Sequence, residues 1–168
     1  MPLYARALTL LLTLVCTSPA AVQATTTIGG ITLDGEAVRL TDYFEDGGLT
    51  LVMVWTTYCA VCAREFPVVD ALHRAHRGDA FKVLGLALDG EAERQRVAAA
   101  MAERKPAFDS LVAEAEEVAA GYRRLTGETF DGTPTYLLFD DEGELAAHMS
   151  GPLETTAVER FIAERLKR

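Results

Sequence analysis

The chain has 168 residues, with 16 Lys and Arg against 25 Asp and Glu, a formal net charge of -9 and a pI near 4.8. That length suits one compact domain. Apolar residues make up 49% and charged residues 24%, which excludes wholesale disorder; the acidic balance excludes the basic face of a nucleic-acid binder, and three cysteines exclude a multi-disulfide mini-scaffold.

The N-terminus has the three parts of a secretory signal: Arg6, the apolar run Ala7 to Cys16, and a small-residue tail Thr17 to Ala24 broken by Pro19. Val22-Gln23-Ala24 fits small-x-Ala cleavage, which divides the chain into a signal over 1–24 and one domain over 25–168. The apolar run is shorter than the ~20 residues of a spanning helix. Val15 before Cys16 is not the small residue that lipid attachment takes, which argues against a lipoprotein. A soluble periplasmic protein is expected, in a compartment that permits disulfides. With Cys16 removed, Cys59 and Cys62 have only each other as partners.

Along the rest of the chain, Ile31-Thr32-Leu33 and Ala37-Val38-Arg39-Leu40 flank Asp34-Gly35, which predicts a hairpin. Leu49 to Thr57 is a nearly continuous apolar run, as in a strand buried on both faces. From Cys59 to Arg77, Phe66, Val69 and Leu72 recur at helical spacing; Pro67 is expected to kink that helix or to mark its restart. Phe81 to Leu88 is a second buried strand, with Asp89 as the cap of a helix over about 91–104. Ser110 to Leu125 is rich in Ala and Glu and predicts a helix throughout. Thr135–Phe139 and Glu144–Ser150 form a hairpin across Asp140-Asp141-Glu142-Gly143. A last helix opens at a Thr156/Glu159 capping box and buries Val158, Phe161, Ile162 and Leu166. The order β-β-β-α-β-α-α-β-β-α predicts an α/β fold, a central mixed sheet with helices on both faces.

The chemistry concentrates at Cys59-x-x-Cys62, between a buried strand and a helix. A helix N-terminus offers free N–H groups and a positive dipole end, which stabilise a thiolate. Cys59 is expected to attack, and Cys62, one turn later, to resolve the mixed disulfide; that cycle needs no cofactor. A static disulfide over so short a loop would constrain the unfolded chain little. Zinc has a decoy in His73-x-x-His76. However, both pairs lie on one predicted helix, which cannot close a tetrahedron, so His73 and His76 are expected on the helix surface and no metal is expected.

The segment Val54-Trp55-Thr56-Thr57-Tyr58-Cys59-Ala60-Val61-Cys62-Ala63-Arg64-Glu65-Phe66-Pro67 resembles the exported TlpA/ResA-like branch of the thioredoxin superfamily. Trp55, the Arg64–Pro67 tail and the later Gly132-Thr133-Pro134-Thr135, similar to the cis-proline loop of that fold, carry the resemblance. It implies a thioredoxin-like fold with an added N-terminal hairpin and a thiol–disulfide oxidoreductase that reduces protein disulfides. It also implies a monomer fed by a membrane-bound thiol donor. Trp55, Tyr58, Thr133 and Pro134 would then face the substrate, and Glu91 resembles a buried acid that handles the resolving thiol's proton. The alternative for Glu91 is a solvated first-turn glutamate.

The chain departs from the family pattern at Tyr58, at the Ala60-Val61 dipeptide, at Met53, where cytoplasmic thioredoxins keep a buried acid, and in a longer segment between Tyr122 and Pro134. Two other functions stay open. A copper-binding module would use both thiolates and a third donor, with His148 the distant candidate. A peroxiredoxin-like peroxidase would match Thr56 but not Val52, where its motif has proline.

Overall fold

The structure, a computed structural model, describes residues 28–78 and 80–165; the expected signal over 1–24, Cys16 and Leu166 lie outside them. The strands are β1 (Gly29–Ile31), β2 (Ala37–Arg39), β3 (Leu49–Trp55), β4 (Phe81–Ala87), β5 (Ser110–Val112), β6 (Thr135–Phe139) and β7 (Leu145–Ser150). The helices are α1 (Ala60–His76), α2 (Arg94–Arg104), α3 (Ala115–Thr126) and α4 (Thr155–Arg165), with short 3-10 turns at Leu40–Tyr43 and Glu91–Glu93.

One seven-stranded mixed sheet runs β2-β1-β5-β4-β3-β6-β7. β3, β4 and β5 are parallel neighbours, and the other pairings are antiparallel. Side chains alternate across β3 and divide the core in two. Leu49, Leu51, Met53 and Trp55 pack with Phe66, Val69 and Leu72 of α1, Val97 of α2 and Ile162 of α4. Val52 and Val54 face the opposite way, toward Val118 and Tyr122 of α3. Helices therefore cover both faces, as the element order requires. The parallel strands also bring the C-terminal ends of β3, β4 and β5, the start of β6 and the start of α1 to one end of the sheet.

Both predicted hairpins are present. Gly35 turns the first at φ 99°, and Gly143 turns the second at φ 77°, conformations that glycine takes without a Cβ penalty. In the second turn Asp140 Oδ1 also accepts the N–H groups of Glu142 and Glu144.

Several expectations are corrected. Ser110–Leu125 is not one helix: Ser110–Val112 form β5, parallel to Gly85–Ala87 of β4, and the helix starts only at Ala115. Leu111, Val112 and Ala113 are buried between β4 and β1, and that burial overrides the helix preference of the run. The 91–104 segment is a 3-10 turn followed by α2, with Gly90 at φ 80° before it. Asp89 caps neither; it bonds Thr57. α1 runs unbroken past Pro67, and α4 begins at Thr155, which puts Thr156 inside the first turn. Phe161 is half-buried beside Val158 and Ile162.

His73 does not lie on the helix surface as expected. It is buried, and its Nδ1 accepts the N–H of Val83 at 3.2 Å. Burial lowers its pKa below the usual imidazole value, with Arg77 adding to the effect.

Candidate active site

β3 ends at Trp55, and a tight turn follows in which Cys59 N–H donates to the Thr56 carbonyl at 3.3 Å. Cys59 is the N-cap of α1: its Sγ accepts the N–H of Cys62 at 2.9 Å, the place that a Ser or Asp oxygen takes in an ordinary cap. The first turn of α1 holds no acidic side chain, whereas the first turn of α3 carries Glu116 and Glu117. The positive end of α1 is thus left to the sulfur.

Cys59 and Cys62 are joined as a disulfide with Cα atoms 5.1 Å apart, inside the ordinary range. Cys59 is half-buried and Cys62 fully buried, so only the first sulfur is open to a partner molecule. The Thr133–Pro134 bond is cis, and the Thr133 carbonyl oxygen lies 3.4 Å from Cys59 Sγ. The Pro134 carbonyl accepts from Gly151 N–H and is held in the fold, while the Thr133 backbone borders the sulfur.

Tyr58 is 70% exposed beside Cys59, and the Arg96 guanidinium sits over its ring at 4.9 Å. Arg96 also pairs with Glu93. Trp55 is placed otherwise than its expected contact with substrate. It is 0% exposed, packs edge-on against Phe66 and donates Nε1–H to Ser110 Oγ at 3.0 Å. It supports the site from beneath, with Gly85 leaving room: a Cβ there would lie 2.7 Å from Ser110 Oγ.

Glu91 is also corrected. It is exposed in the turn before α2, and its N–H donates to Glu114 Oε1; it is not a buried acid. The buried carboxylate of the site is Glu65, 9% exposed on α1. Glu65 Oε2 accepts the Leu153 N–H at 2.7 Å and the Tyr136 hydroxyl at 3.2 Å. Tyr136 pairs across the sheet with Met53, so α1 and β6 together supply the polar group that β3 lacks. Burial and the neighbouring Glu65 charge push the Tyr136 phenol far above its usual pKa. The sequence held a signal for Glu65: it lies three residues after Cys62, hence on the same face of α1.

His148, the distant third donor of the copper reading, is not with the thiols. It lies on β7, with Nδ1 3.2 Å from the Tyr122 hydroxyl and 4.0 Å from Glu128. Among the described residues no group of three or more His, Cys, Asp or Glu could hold a metal ion. Val52 lies buried in the middle of β3.

The sequence model of the AhpC/TSA family matches residues 20–148. The chain belongs to the AhpC/TSA family. One relative is the sporulation thiol-disulfide oxidoreductase A of Bacillus subtilis (strain 168), 25% identical over 134 residues, 79% of this chain and 76% of the relative. A thiol:disulfide interchange protein from Bacteroides sp. superposes with TM-score 0.63 at 26% identity, covering 81% of this chain and 86% of that one. The thioredoxin domain of a thiol-disulfide oxidoreductase from Bacteroides vulgatus gives TM-score 0.63 at 25% identity, over 82% and 97%. This AhpC/TSA chain therefore has a thioredoxin-like fold and is a thiol–disulfide oxidoreductase by family, with its CxxC pair at the start of α1.

Proposed function

We propose that this oxidoreductase works in the periplasm as a reductant of selected protein disulfides. The observation that carries the reading is the position of Cys59 Sγ, on the Cys62 N–H at the start of α1 and beside the Thr133 carbonyl. Export is supported by the signal-like segment 1–24; no described helix is long and apolar enough to cross a membrane. The reductive direction, the monomeric state and a membrane-bound dithiol as electron donor are what the resemblance implies.

The cycle starts from the dithiol. Cys59 thiolate attacks one sulfur of the substrate disulfide, forming a Cys59–substrate bond and releasing the other substrate sulfur as a thiolate, which takes a proton. Cys62, deprotonated, then attacks Cys59 Sγ, closing the Cys59–Cys62 disulfide and expelling the second substrate thiolate. Two electrons pass to the substrate, and a donor dithiol returns the pair to its reduced form. Tyr58 offers an exposed apolar and aromatic surface at the rim, and the backbone around Thr133 and cis-Pro134 lies where an extended substrate segment would run past the sulfur. Glu65, one helical turn from Cys62, takes the proton-handling role that its exposure denies to Glu91.

The test is trapping in the exporting cell. A Cys62→Ala protein should accumulate covalent complexes that a reductant dissolves and that disappear when Cys59 is also replaced. Acid-quenched wild-type protein should carry Cys59 and Cys62 mainly as thiols. A chain found mainly as the disulfide would make it an oxidant instead, and no trapped complexes would overturn the reading.

A further inference from the structure

Asp89 follows β4 and faces the turn that leads into Cys59. Its carboxylate accepts the Thr57 N–H with both oxygens, at 3.2 and 3.1 Å, and the Thr57 hydroxyl donates to Oδ1. Next to it, Leu88 N–H donates to the Trp55 carbonyl at 2.9 Å, so the β3 and β4 exits are joined twice. All these contacts to Asp89 come from donors. A carboxylate, which only accepts, can take all of them.

No ion pair reaches Asp89 among the described residues, although it is part-buried and bonds Thr57, two positions before Cys59. Three charged side chains of the following turns are engaged elsewhere: Glu114 accepts the Glu91 N–H, Arg94 donates to the Leu33 carbonyl, and Arg96 is shared between Glu93 and the Tyr58 ring. Helix capping, the ordinary use for an aspartate after a strand, does not explain it, because the following turn is capped at Gly90 without a side-chain bond.

Building on the function proposed above, we infer that Asp89 is a positioning residue of the dithiol site with two effects. Its hydrogen bonds hold the turn 56–59 so that Cys59 Sγ stays on the α1 N-terminus as the pair opens and closes. Its negative charge disfavours the Cys59 thiolate, destabilises the dithiol relative to the disulfide, and makes the couple a stronger reductant.

The two effects separate in Asp89→Asn and Asp89→Ala. The full chain without its signal is equilibrated with glutathione at pH 7, with the fluorescence of Trp55, the sole tryptophan, as one readout. Both variants should shift the equilibrium toward the dithiol about fivefold, which is ~20 mV for a two-electron couple. Cys59 should also alkylate faster at pH 6. For the clamp, Asp89→Ala should reduce a model peptide disulfide about tenfold more slowly than wild type, and Asp89→Asn, which keeps one acceptor, should recover most of that rate. An equilibrium unchanged in both variants overturns the charge effect, and equal exchange rates in the two overturn the clamp. If Asp89→Ala does not fold, Thr57→Val, which removes only the hydroxyl donor, takes its place in the rate comparison. Wild-type protein that exchanges no disulfide refutes the proposed function itself, a result distinct from either of these.

Discussion

Replacing Glu65 by Gln isolates the buried carboxylate from its structural contacts. The side chain keeps its length, and the amide oxygen can still accept from Leu153 N–H and the Tyr136 hydroxyl. Two charge-assisted bonds become neutral ones, a loss of about 1 kcal/mol each. Removing a charge from a 9% exposed site returns a desolvation cost of similar or larger size. The net change in stability should therefore stay within about 1–2 kcal/mol, or a few degrees in melting temperature. The kinetic loss should be much larger. A group that moves a proton in the resolving step contributes ~10²-fold or more, about 2.7 kcal/mol of barrier. Stopped-flow mixing of the Glu65→Gln dithiol with a peptide disulfide should show formation of the mixed disulfide near the wild-type rate and its resolution ~100-fold slower. That defect should shrink as pH rises and Cys62 ionises unaided. Wild-type resolution from pH 5 to 9 would refute the role and leave Glu65 as an anchor for Tyr136 and Leu153.

Ser110→Ala should cost about 1–3 kcal/mol in urea unfolding, because the Trp55 indole N–H loses its buried acceptor. Gly85→Ala should cost at least as much, since its Cβ meets Ser110 and the Trp55 indole nitrogen at 2.7 and 3.1 Å. His73 adds an acid-labile element: its folded pKa is depressed, so the unfolded chain takes up its proton first as pH falls. Stability should be unaffected by this group above about pH 6.5 and decline below it, by at most ~1.4 kcal/mol per pH unit, until the folded pKa is passed. His73→Gln should unfold more easily at pH 8 and lose less on going to pH 5. Tyr136 acts at the other end: its raised pKa means the unfolded phenol ionises first above about pH 10, and stability should fall there in wild type more steeply than in Tyr136→Phe.

The features legible in the sequence are those that local pattern controls. The apolar run of β3 and β4, the two glycine turns, the Cys59 helix start and the Thr133–Pro134 loop all appear where their periodicity or motif puts them. What escaped the sequence depends on partners far along the chain. β5 is a strand because β4 and β1 bury it, although its neighbours favour helix. His73 is buried because β4 offers the Val83 N–H. Trp55 is withdrawn from the surface by Ser110, 55 residues later. Glu91 and Glu65 differ for the same reason: Glu91 stays at the solvated end of a turn, while Tyr136 and Leu153 close over Glu65. Asp89 reads as a cap in the sequence because local pattern carries no sign of Thr57 across the strand ends.

The central claim is that Cys59 is the nucleophile, held as a thiolate on the α1 N-terminus, and that Cys62 resolves. Its most direct measurement is the rate of alkylation at each cysteine of the reduced protein at pH 6, read by peptide mass spectrometry. Cys59 should be labelled at least tenfold faster than Cys62, as its exposure and its capping bond require. Equal labelling, or Cys62 reacting first, would contradict the account.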